Sequence, residues 1–128
     1  MDIKLAVSGW REMKDDGTFE ESMGDFIVHF GSVPSLIITG GASGADTYAM
    51  RWAKKYNVPL LTLRPQYDKY HFKQAPLLRN TDIVAAATHL LAFPSYSHGR
   101  GTQDAISKAL SMMEIENVMI IDLDARMK

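Results

Sequence analysis

The strongest constraint on the fold of this 128-residue chain is a regular alternation of short apolar runs with longer amphipathic segments. Short, mainly apolar runs bounded by turn-forming residues are typical of buried β-strands. Such runs occur at 3–7, 36–39, 60–63, 89–93 and 117–121. Between them, apolar residues recur at helical spacing over 19–30, 48–56 and 106–113. Residues 75–87 are predicted to form a further helix with a weak point near 79–81, and the tail over 122–128 is polar.

The strand runs also constrain the topology of the sheet. They lack the alternating polar positions of a half-exposed sheet, which indicates a parallel sheet covered by helices on both faces. Because strand–helix–strand crossovers are right-handed, a Rossmann-like strand order of 3-2-1-4-5 is the first choice. We therefore predict an α/β fold in which residues 1–128 form a single Rossmann-like domain with a five-stranded parallel sheet. Ligands of such sheets bind beyond the carboxyl ends of the strands where the order reverses, here between strands one and four.

Charge and composition exclude several classes of function. Lysine and arginine number 14 against 15 aspartates and glutamates, a net charge of −1. This balance argues against nucleic acid as a partner, because proteins that bind phosphate backbones are expected to be basic. Without cysteine, the chain has no disulfide, thiolate zinc site or cysteine nucleophile. The histidines at 29, 71, 89 and 98 show no metal-ligand spacing, so neither a metal nor a cofactor is predicted.

The sequence also contains no membrane signal. No apolar run approaches the roughly 20 residues of a membrane-spanning helix. Residues 1–4 lead directly into a predicted strand and lack the architecture of a signal peptide. We therefore expect a soluble, cytoplasmic domain.

Three glycine-containing loops follow strands that the predicted order makes neighbours. Two of these loops open helices, whose free N–H groups and positive dipole ends bind anions. Glycine allows the backbone to approach a phosphate closely and to adopt a positive φ. The three loops therefore predict a site for a phosphate-bearing ligand. The candidate ligand-binding residues in them are Ser8, Gly9, Arg11, Gly40, Gly41, Ala42, Ser43, Gly44, Asp46, Pro94, His98, Gly99, Gly101 and Thr102.

The well-known nucleotide motifs are missing from these loops. Residues 40–47 lack the Lys-[Ser/Thr] ending of a P-loop and the spacing of the G-x-G-x-x-G fingerprint. The third strand ends at Leu63-Arg64, where an NAD site would place an acid for the ribose hydroxyls. Both a P-loop ATPase and a generic NAD dehydrogenase are therefore disfavoured.

Four segments carry a resemblance to a known family: Val7-Ser8-Gly9-Trp10-Arg11, Thr39-Gly40-Gly41-Ala42-Ser43-Gly44-Ala45-Asp46, Arg79-Asn80 and Gly99-Arg100-Gly101-Thr102. Together they resemble the SLOG superfamily, and most of all its small branch related to YspA and YpsA, found in bacteria and phages. The resemblance runs from about residue 3 to residue 121, and its most specific part is the Gly-Gly-Ala-x-Gly-Ala-Asp loop. The superfamily includes the LOG phosphoribohydrolases of cytokinin nucleotides, the DNA-processing protein DprA and nucleotide-sensing domains of defence systems. The resemblance implies a Rossmann-like fold that binds a nucleotide or a related ligand.

The chain departs from the enzymatic branch at positions that matter for catalysis. That branch carries Pro-Gly-Gly-x-Gly-Thr-x-x-Glu and an Arg-Lys pair on an upstream helix. Arg79 matches the arginine, Asn80 replaces the lysine, and Ala105 stands where the resemblance places the catalytic glutamate. The candidate catalytic residues are then Arg79, Asp104 and Asp46. Asp46 lies at a predicted helix start, so we interpret it first as a helix cap.

The sequence thus predicts a domain that binds a nucleotide or nucleotide-derived phosphoribosyl compound as a sensor or sequestering domain. The glycine loops would hold phosphate, and Arg79 would supply a fixed, forked positive charge. The first alternative is a nucleosidase or phosphoribohydrolase that cleaves an N-glycosidic bond. The second is a DprA-like binder of single-stranded DNA, which the net charge disfavours. Relatives that commonly dimerise and aromatic-rich loops beside the predicted pocket lead us to expect a homodimer.

Overall fold

A parallel five-stranded sheet in the order β3-β2-β1-β4-β5 forms the centre of the protein. The computed structural model describes residues 2–98 and 100–126. It confirms the α/β class, the parallel pairing and the strand order predicted from the sequence. The strands are β1 (Lys4–Gly9), β2 (Leu36–Thr39), β3 (Leu60–Thr62), β4 (His89–Phe93) and β5 (Val118–Ile120).

Helices connect these strands, and two short elements were not predicted. A single 3₁₀ turn at Ile115–Asn117 precedes β5. Asp122 accepts hydrogen bonds from the backbone N–H groups of Asp124 (3.0 Å) and Ala125 (3.4 Å) and so begins a four-residue helix in the polar tail. The helices are α1 (Thr18–Phe30), α2 (Ala45–Lys55), α3 (Ala75–Ala86), α4 (Gly101–Met112) and α5 (Leu123–Arg126).

The weak point predicted near residues 79–81 is wrong, since α3 runs through it without a break. Polar side chains disturb a helix when they compete for its backbone hydrogen bonds. Here Arg79 and Asn80 bond to groups outside the helix. The Thr81 hydroxyl donates to the Leu77 carbonyl one turn earlier, at 3.2 Å, which is compatible with helical geometry.

The apolar core lies on both faces of the sheet. Alternate residues of β1 point to opposite faces. Leu5 and Val7 pack in a cluster with residues of α1 and α2, such as Phe26, and Ala6 packs with Ile83 of α3 and residues of α4. Burial on both faces explains why the strands read as continuous apolar runs.

Strand β1 occupies the centre of the sheet and pairs with both β2 and β4. Its last residue, Gly9, is in register with Phe93, the last residue of β4. The Trp10 N–H then donates to the Phe93 carbonyl at 3.0 Å, so the loops after β1 and β4 leave the sheet side by side. Among residues 2–98 and 100–126, no helix has the length and apolar character needed to cross a membrane.

Candidate functional site

A cleft of about 510 Å³ opens at the carboxyl edge of the sheet, at the switch in strand order. The loops after β1, β2 and β4 and the N-terminal halves of α3 and α4 form its walls. Open parallel sheets bind their ligands at this position. Sequence-predicted residues that line the cleft are Ser8, Gly9, Arg11, Gly40, Ala42, Asp46, Arg79, Asn80, Pro94, His98, Gly101 and Thr102.

Some predicted residues do not line the cleft, and some lining residues were not predicted. Gly41, Ser43, Gly44 and Asp104 are not part of the lining, and Gly99 lies outside the described residues. The missed residues come mainly from helices, whose rotational phase the sequence pattern did not fix closely enough. They are Val7, Trp10, Glu12, Pro76, Leu77, Ile83, Ser95, Gln103 and Ala105.

The glycine-rich loop after β2 is closed by its own aspartate. The Oδ2 atom of Asp46 accepts hydrogen bonds from the N–H groups of Gly40 (3.0 Å) and Ala42 (3.3 Å). Between them, the Gly41 N–H donates to Oγ1 of Thr39 at 3.3 Å. The interpretation of Asp46 as a helix cap is therefore wrong, because its carboxylate holds the preceding loop and α2 has no side-chain cap. Three successive N–H groups of the predicted phosphate cradle already have protein acceptors.

The electrostatic environment of Asp46 results from opposing effects. Burial raises the pKa of its carboxyl above the ordinary value, because a low-dielectric surrounding disfavours the charged form. The hydrogen bonds from Ala42 and Gly40 and the positive charges of Arg79 and Arg11 lower the pKa and partly offset that effect. A buried carboxylate with a raised pKa thus lies at the cleft floor.

Position 44 requires glycine, because the loop after β2 packs closely there against the loop after β1. Its φ of 74° and ψ of −130° lie in a region that L side chains rarely adopt. A Cβ atom there would stand 2.2 Å from the Trp10 carbonyl oxygen and 2.7 Å from that of Arg11. Gly44 therefore allows close packing of two backbone segments, which is a structural role away from the cleft surface.

Two arginines supply the positive charge of the cleft. Arg79 donates from Nη1 to the Gly40 carbonyl (3.0 Å) and from Nε to Oδ1 of Asn80 (2.9 Å). Burial lowers the pKa of Arg79, Asp46 raises it, and the neighbouring charge of Arg11 lowers it further. Arg11 is exposed and lines the same cleft. Two guanidinium groups that line one cleft, one of them partly desolvated, favour an anionic ligand.

A stacked aromatic pair, Trp10 and His98, forms an aromatic wall of the same cleft. The rings of Trp10 and His98 stack with a centroid distance of 4.4 Å and an interplanar angle of 18°. Pro76, Leu77 and Pro94 add apolar surface to the same cleft. A flat, mainly apolar ligand group would fit such walls, and ring stacking stabilises such contacts.

Comparison with known proteins gives the family. The model of the "YspA, cpYpsA-related SLOG family" matches residues 3–70. The Gene 61 protein of Mycobacterium phage D29 is 33% identical over 97 residues, which cover 71% of this chain and 76% of that protein. The chain belongs to the YspA, cpYpsA-related SLOG family. No solved structure matches it.

The part that matches the SLOG family runs from β1 to the loop after β3 and includes the loop held by Asp46. Arg79, Asn80 and α4 lie beyond the matched segment. The inclusion of Arg79, Asn80 and α4 in the site therefore rests on their residue types and on their positions in the cleft.

The two neighbouring positions of α4 that could carry the catalytic acid of a SLOG phosphoribohydrolase lie in different surroundings. Ala105 lines the cleft and is buried. Asp104, one residue earlier and about 100° around the helix, accepts from Nδ2 of Asn80 (3.1 Å) and from Nζ of Lys108 (2.8 Å). The position at which the resemblance places the glutamate therefore faces the cleft but carries a methyl group, and Asp104 is held in a network between α3 and α4.

In the part of the chain that the structure describes, no three histidine, aspartate or glutamate side chains come together as metal ligands do. The cleft carboxylates are those of Glu12, which is exposed, and Asp46, which is occupied by backbone donors.

Proposed function

We propose that this SLOG protein binds a nucleotide or nucleotide-derived phosphoribosyl compound in the cleft, as a sensor or sequestering domain. The observation that carries the proposal is the pair of Arg11 and Arg79 at the strand-order switch, in a cleft that the stacked rings of Trp10 and His98 also line. Membership of the SLOG family supports a nucleotide-related ligand. The volume of about 510 Å³ falls within the roughly 300–1,000 Å³ of small-molecule sites.

The phosphate is proposed to lie near the N-terminus of α4. Helix α4 begins at Gly101, and the first N–H groups of a helix have no intrahelical acceptor. Gly101 and Thr102 line the cleft, and the Asn80 side chain donates to the Gly101 carbonyl at 3.5 Å, next to Arg79. By contrast, the N–H groups of residues 40–42 are engaged within their own loop. The arginines and α4 are therefore better placed for phosphate than the loop after β2.

The base and sugar are proposed to lie toward Trp10 and His98. An aromatic wall with apolar neighbours suits a nucleobase, since bases present a π-face to stacking partners.

Isothermal titration calorimetry with adenosine monophosphate, adenosine and inorganic phosphate tests the proposal. We expect the monophosphate to bind more tightly than adenosine by at least about tenfold, since hydrogen bonds to charged groups contribute roughly 1.5–3 kcal/mol. Guanosine and cytidine monophosphates in parallel titrations would report base preference, and mass spectrometry would identify any ligand that co-purifies. Equal affinities for nucleotide and nucleoside, or no binding of any of these compounds, would contradict the proposal.

Hydrolysis of an N-glycosidic bond is the second candidate function. The observation in its favour is the buried Asp46 carboxyl on the cleft, whose pKa burial raises toward the range of a general acid. Against it stands Ala105 at the position of the family glutamate. The homodimer expected from the sequence stays a prediction, which light scattering would test.

A further inference from the structure

A hydrogen-bonded chain of three side chains ends at the aromatic wall of the cleft. Oγ of the buried Ser95 donates to Oδ1 of Asp124 at 2.6 Å and lies 2.7 Å from Nδ1 of His98. Asp124 belongs to α5, which returns to β4 through a hydrogen bond from the Leu123 N–H to the Pro94 carbonyl at 2.9 Å. A short helix at the end of the described chain thus holds two residues of the cleft lining, Pro94 and Ser95.

A second serine strengthens the same arrangement. The Ser97 hydroxyl donates to Oδ1 of Asp124 at 3.1 Å, and the Ser97 N–H donates to Oδ2 at 2.9 Å. The Ser97 oxygen also lies 3.1 Å from Nδ1 of His98. Asp124 therefore collects three donors. The hydrogen bond from Ser95, the largest effect, lowers the pKa of Asp124 and keeps the carboxyl ionised at neutral pH.

Counting protons fixes the state of the His98 ring. An ionised carboxylate only accepts, so the Ser95 hydroxyl, 2.6 Å from Oδ1 of Asp124, must direct its single proton toward that oxygen. The Ser95 oxygen can then only accept from Nδ1 of His98, 2.7 Å away, and this nitrogen must carry a proton. In the neutral ring, Nε2 is consequently the unprotonated nitrogen.

The other edge of the ring remains available to a ligand. His98 lines the cleft, is stacked on Trp10, and has no hydrogen bond at Nε2 among the described residues. Trp10 fixes the plane of the ring, and Ser95 and Ser97 fix which edge turns away from the protein. The result is an oriented acceptor beside the flat end of the proposed ligand.

We propose that Asp124 acts through Ser95 and Ser97 as a positioning residue, which holds His98 as the Nδ1–H tautomer so that Nε2 accepts a hydrogen bond from the ligand. This inference rests on the proposed function and adds a specificity determinant to it. The ligand group must be a donor, and in a nucleotide the donors near the base are ribose hydroxyls and exocyclic amines. Asp124 and Ser95 would thus select for a ligand that carries a hydroxyl or an amine at that point.

Nitrogen NMR tests the positioning step directly. Spectra of the ¹⁵N-labelled chain at about pH 8, where an ordinary histidine is neutral, report which ring nitrogen is protonated. A difference spectrum with His98→Phe assigns the ring. We expect Nδ1–H in the wild type. In Asp124→Ala the Ser95 hydroxyl is released to donate to Nδ1, so the ring should change to the Nε2–H tautomer. Asp25→Ala, an exposed carboxylate on α1, is the matched control and should change nothing. An unchanged tautomer in Asp124→Ala would overturn the positioning role.

Calorimetry tests the recognition step. The probes are adenosine monophosphate, its 2′-deoxy and 3′-deoxy analogues, and purine riboside monophosphate, which lacks the amine. His98→Phe keeps a ring against Trp10 and removes Nε2. We expect His98→Phe to weaken the binding of adenosine monophosphate by about 3- to 10-fold, the range for a neutral hydrogen bond. The affinity for the one analogue that lacks the donor should stay unchanged. Asp124→Ala should weaken adenosine monophosphate at least as much, because Nε2 becomes a donor facing a donor.

The outcomes separate this inference from the proposed function. If wild type binds the nucleotide but His98→Phe weakens all four probes equally or none of them, the recognition step is wrong and the proposed function stands. If wild type binds no nucleotide, the proposed function and the recognition step both fail, and the tautomer measurement alone decides the role of Asp124.

Discussion

The Asp46 carboxylate accepts a hydrogen bond from the Gly40 N–H at 3.0 Å, and so ties the first turn of α2 to the end of β2. The same oxygen atom also binds the Ala42 N–H. A loop of this kind has its own internal acceptor and keeps its shape without a ligand. A glycine-rich motif of this kind therefore need not contact phosphate, because the aspartate accepts hydrogen bonds from the loop itself.

The first prediction concerns this loop. Asp46→Ala leaves two N–H groups without acceptors in a buried place. We expect the free energy of unfolding to fall by about 1–3 kcal/mol, the cost of an unsatisfied buried donor. Urea denaturation measures the change, and Asp25→Ala on the exposed face of α1 is the control. A variant as stable as the wild type would mean that water replaces the carboxylate.

Two glycine substitutions give a second prediction. Gly44→Ala introduces a methyl group 2.2 Å from the Trp10 carbonyl oxygen at a φ of 74°, so we expect destabilisation by at least about 1–3 kcal/mol. Gly24 lies exposed within α1, and a Cβ atom there has no neighbour within 4 Å. Gly24→Ala should therefore stabilise the protein by about 0.5–1 kcal/mol. Thermal and urea unfolding of both variants should give shifts of opposite sign; equal shifts would contradict the assigned role of Gly44.

The third prediction separates binding from stability at the two arginines. Arg11→Gln should weaken the binding of adenosine monophosphate by about 1.5–3 kcal/mol, the range for a charged hydrogen bond. It should leave the unfolding midpoint unchanged, because the Arg11 side chain is exposed. Arg79→Gln should lower both affinity and stability, since it also removes the bond to the Gly40 carbonyl. Arg51→Gln, at a surface ion pair with Asp15, is the control. Calorimetry against adenosine reports the phosphate contribution, and equal losses for nucleoside and nucleotide would show that neither arginine reads phosphate.

The strand positions were readable because burial on both faces leaves an uninterrupted apolar run. The predicted runs at 36–39 and 89–93 coincide with β2 and β4. Right-handed crossovers then fixed the order, and the order fixed which loops meet. The sequence did not predict helix α5, because four residues are too few to show helical periodicity. Its start depends on the Asp122 carboxylate, which accepts from the N–H groups of Asp124 and Ala125.

The loops of the site were predictable, and their internal hydrogen bonds were not. That Gly40 lies near Arg79 follows from topology, but the acceptor of the Gly40 N–H depends on the local loop conformation. Likewise, nothing in the spacing of Ser95 and Asp124 indicates that they meet, because the chain between them forms α4, β5 and the turn into α5. Contacts between distant segments depend on packing that periodicity does not encode.

The fourth prediction concerns pH. His89 is buried, with its ring against the edges of Phe26 and Phe30, and burial lowers its pKa below 6.5. The unfolded chain then binds a proton more readily than the folded one. The contribution of His89 to stability is therefore complete above pH 6.5 and is lost as the pH falls through the lowered value.

Urea denaturation at a series of pH values tests this dependence. The wild type should lose stability below about pH 6.5 with a slope of at most about 1.4 kcal/mol per pH unit from this group. His89→Phe, which keeps an aromatic ring, should lose that part of the slope, whereas His29→Gln at an exposed position should keep it. Identical slopes in all three proteins would assign the acid sensitivity to other groups.

The last prediction asks whether the protein turns its ligand over, and it depends on Ala105. The side chain is buried on the cleft wall, where a glutamate could reach a bound phosphoribosyl group. A methyl group can neither activate water nor stabilise the positive charge that develops on the sugar as an N-glycosidic bond breaks. We therefore expect negligible release of adenine from adenosine monophosphate by the wild type, measured by chromatography after long incubation.

Variants at three positions complete that experiment. Ala105→Glu should raise base release, because acid–base assistance is worth about 10²–10⁴-fold. Asp104→Asn should have no effect on base release, since Asp104 does not line the cleft and its carboxylate is occupied by Asn80 and Lys108. If the wild type releases base and Asp46→Asn abolishes this activity while the folded state persists, Asp46 is the working carboxyl. The protein would then be a nucleosidase that uses the acid of its glycine-rich loop where other members of the superfamily use a glutamate on α4.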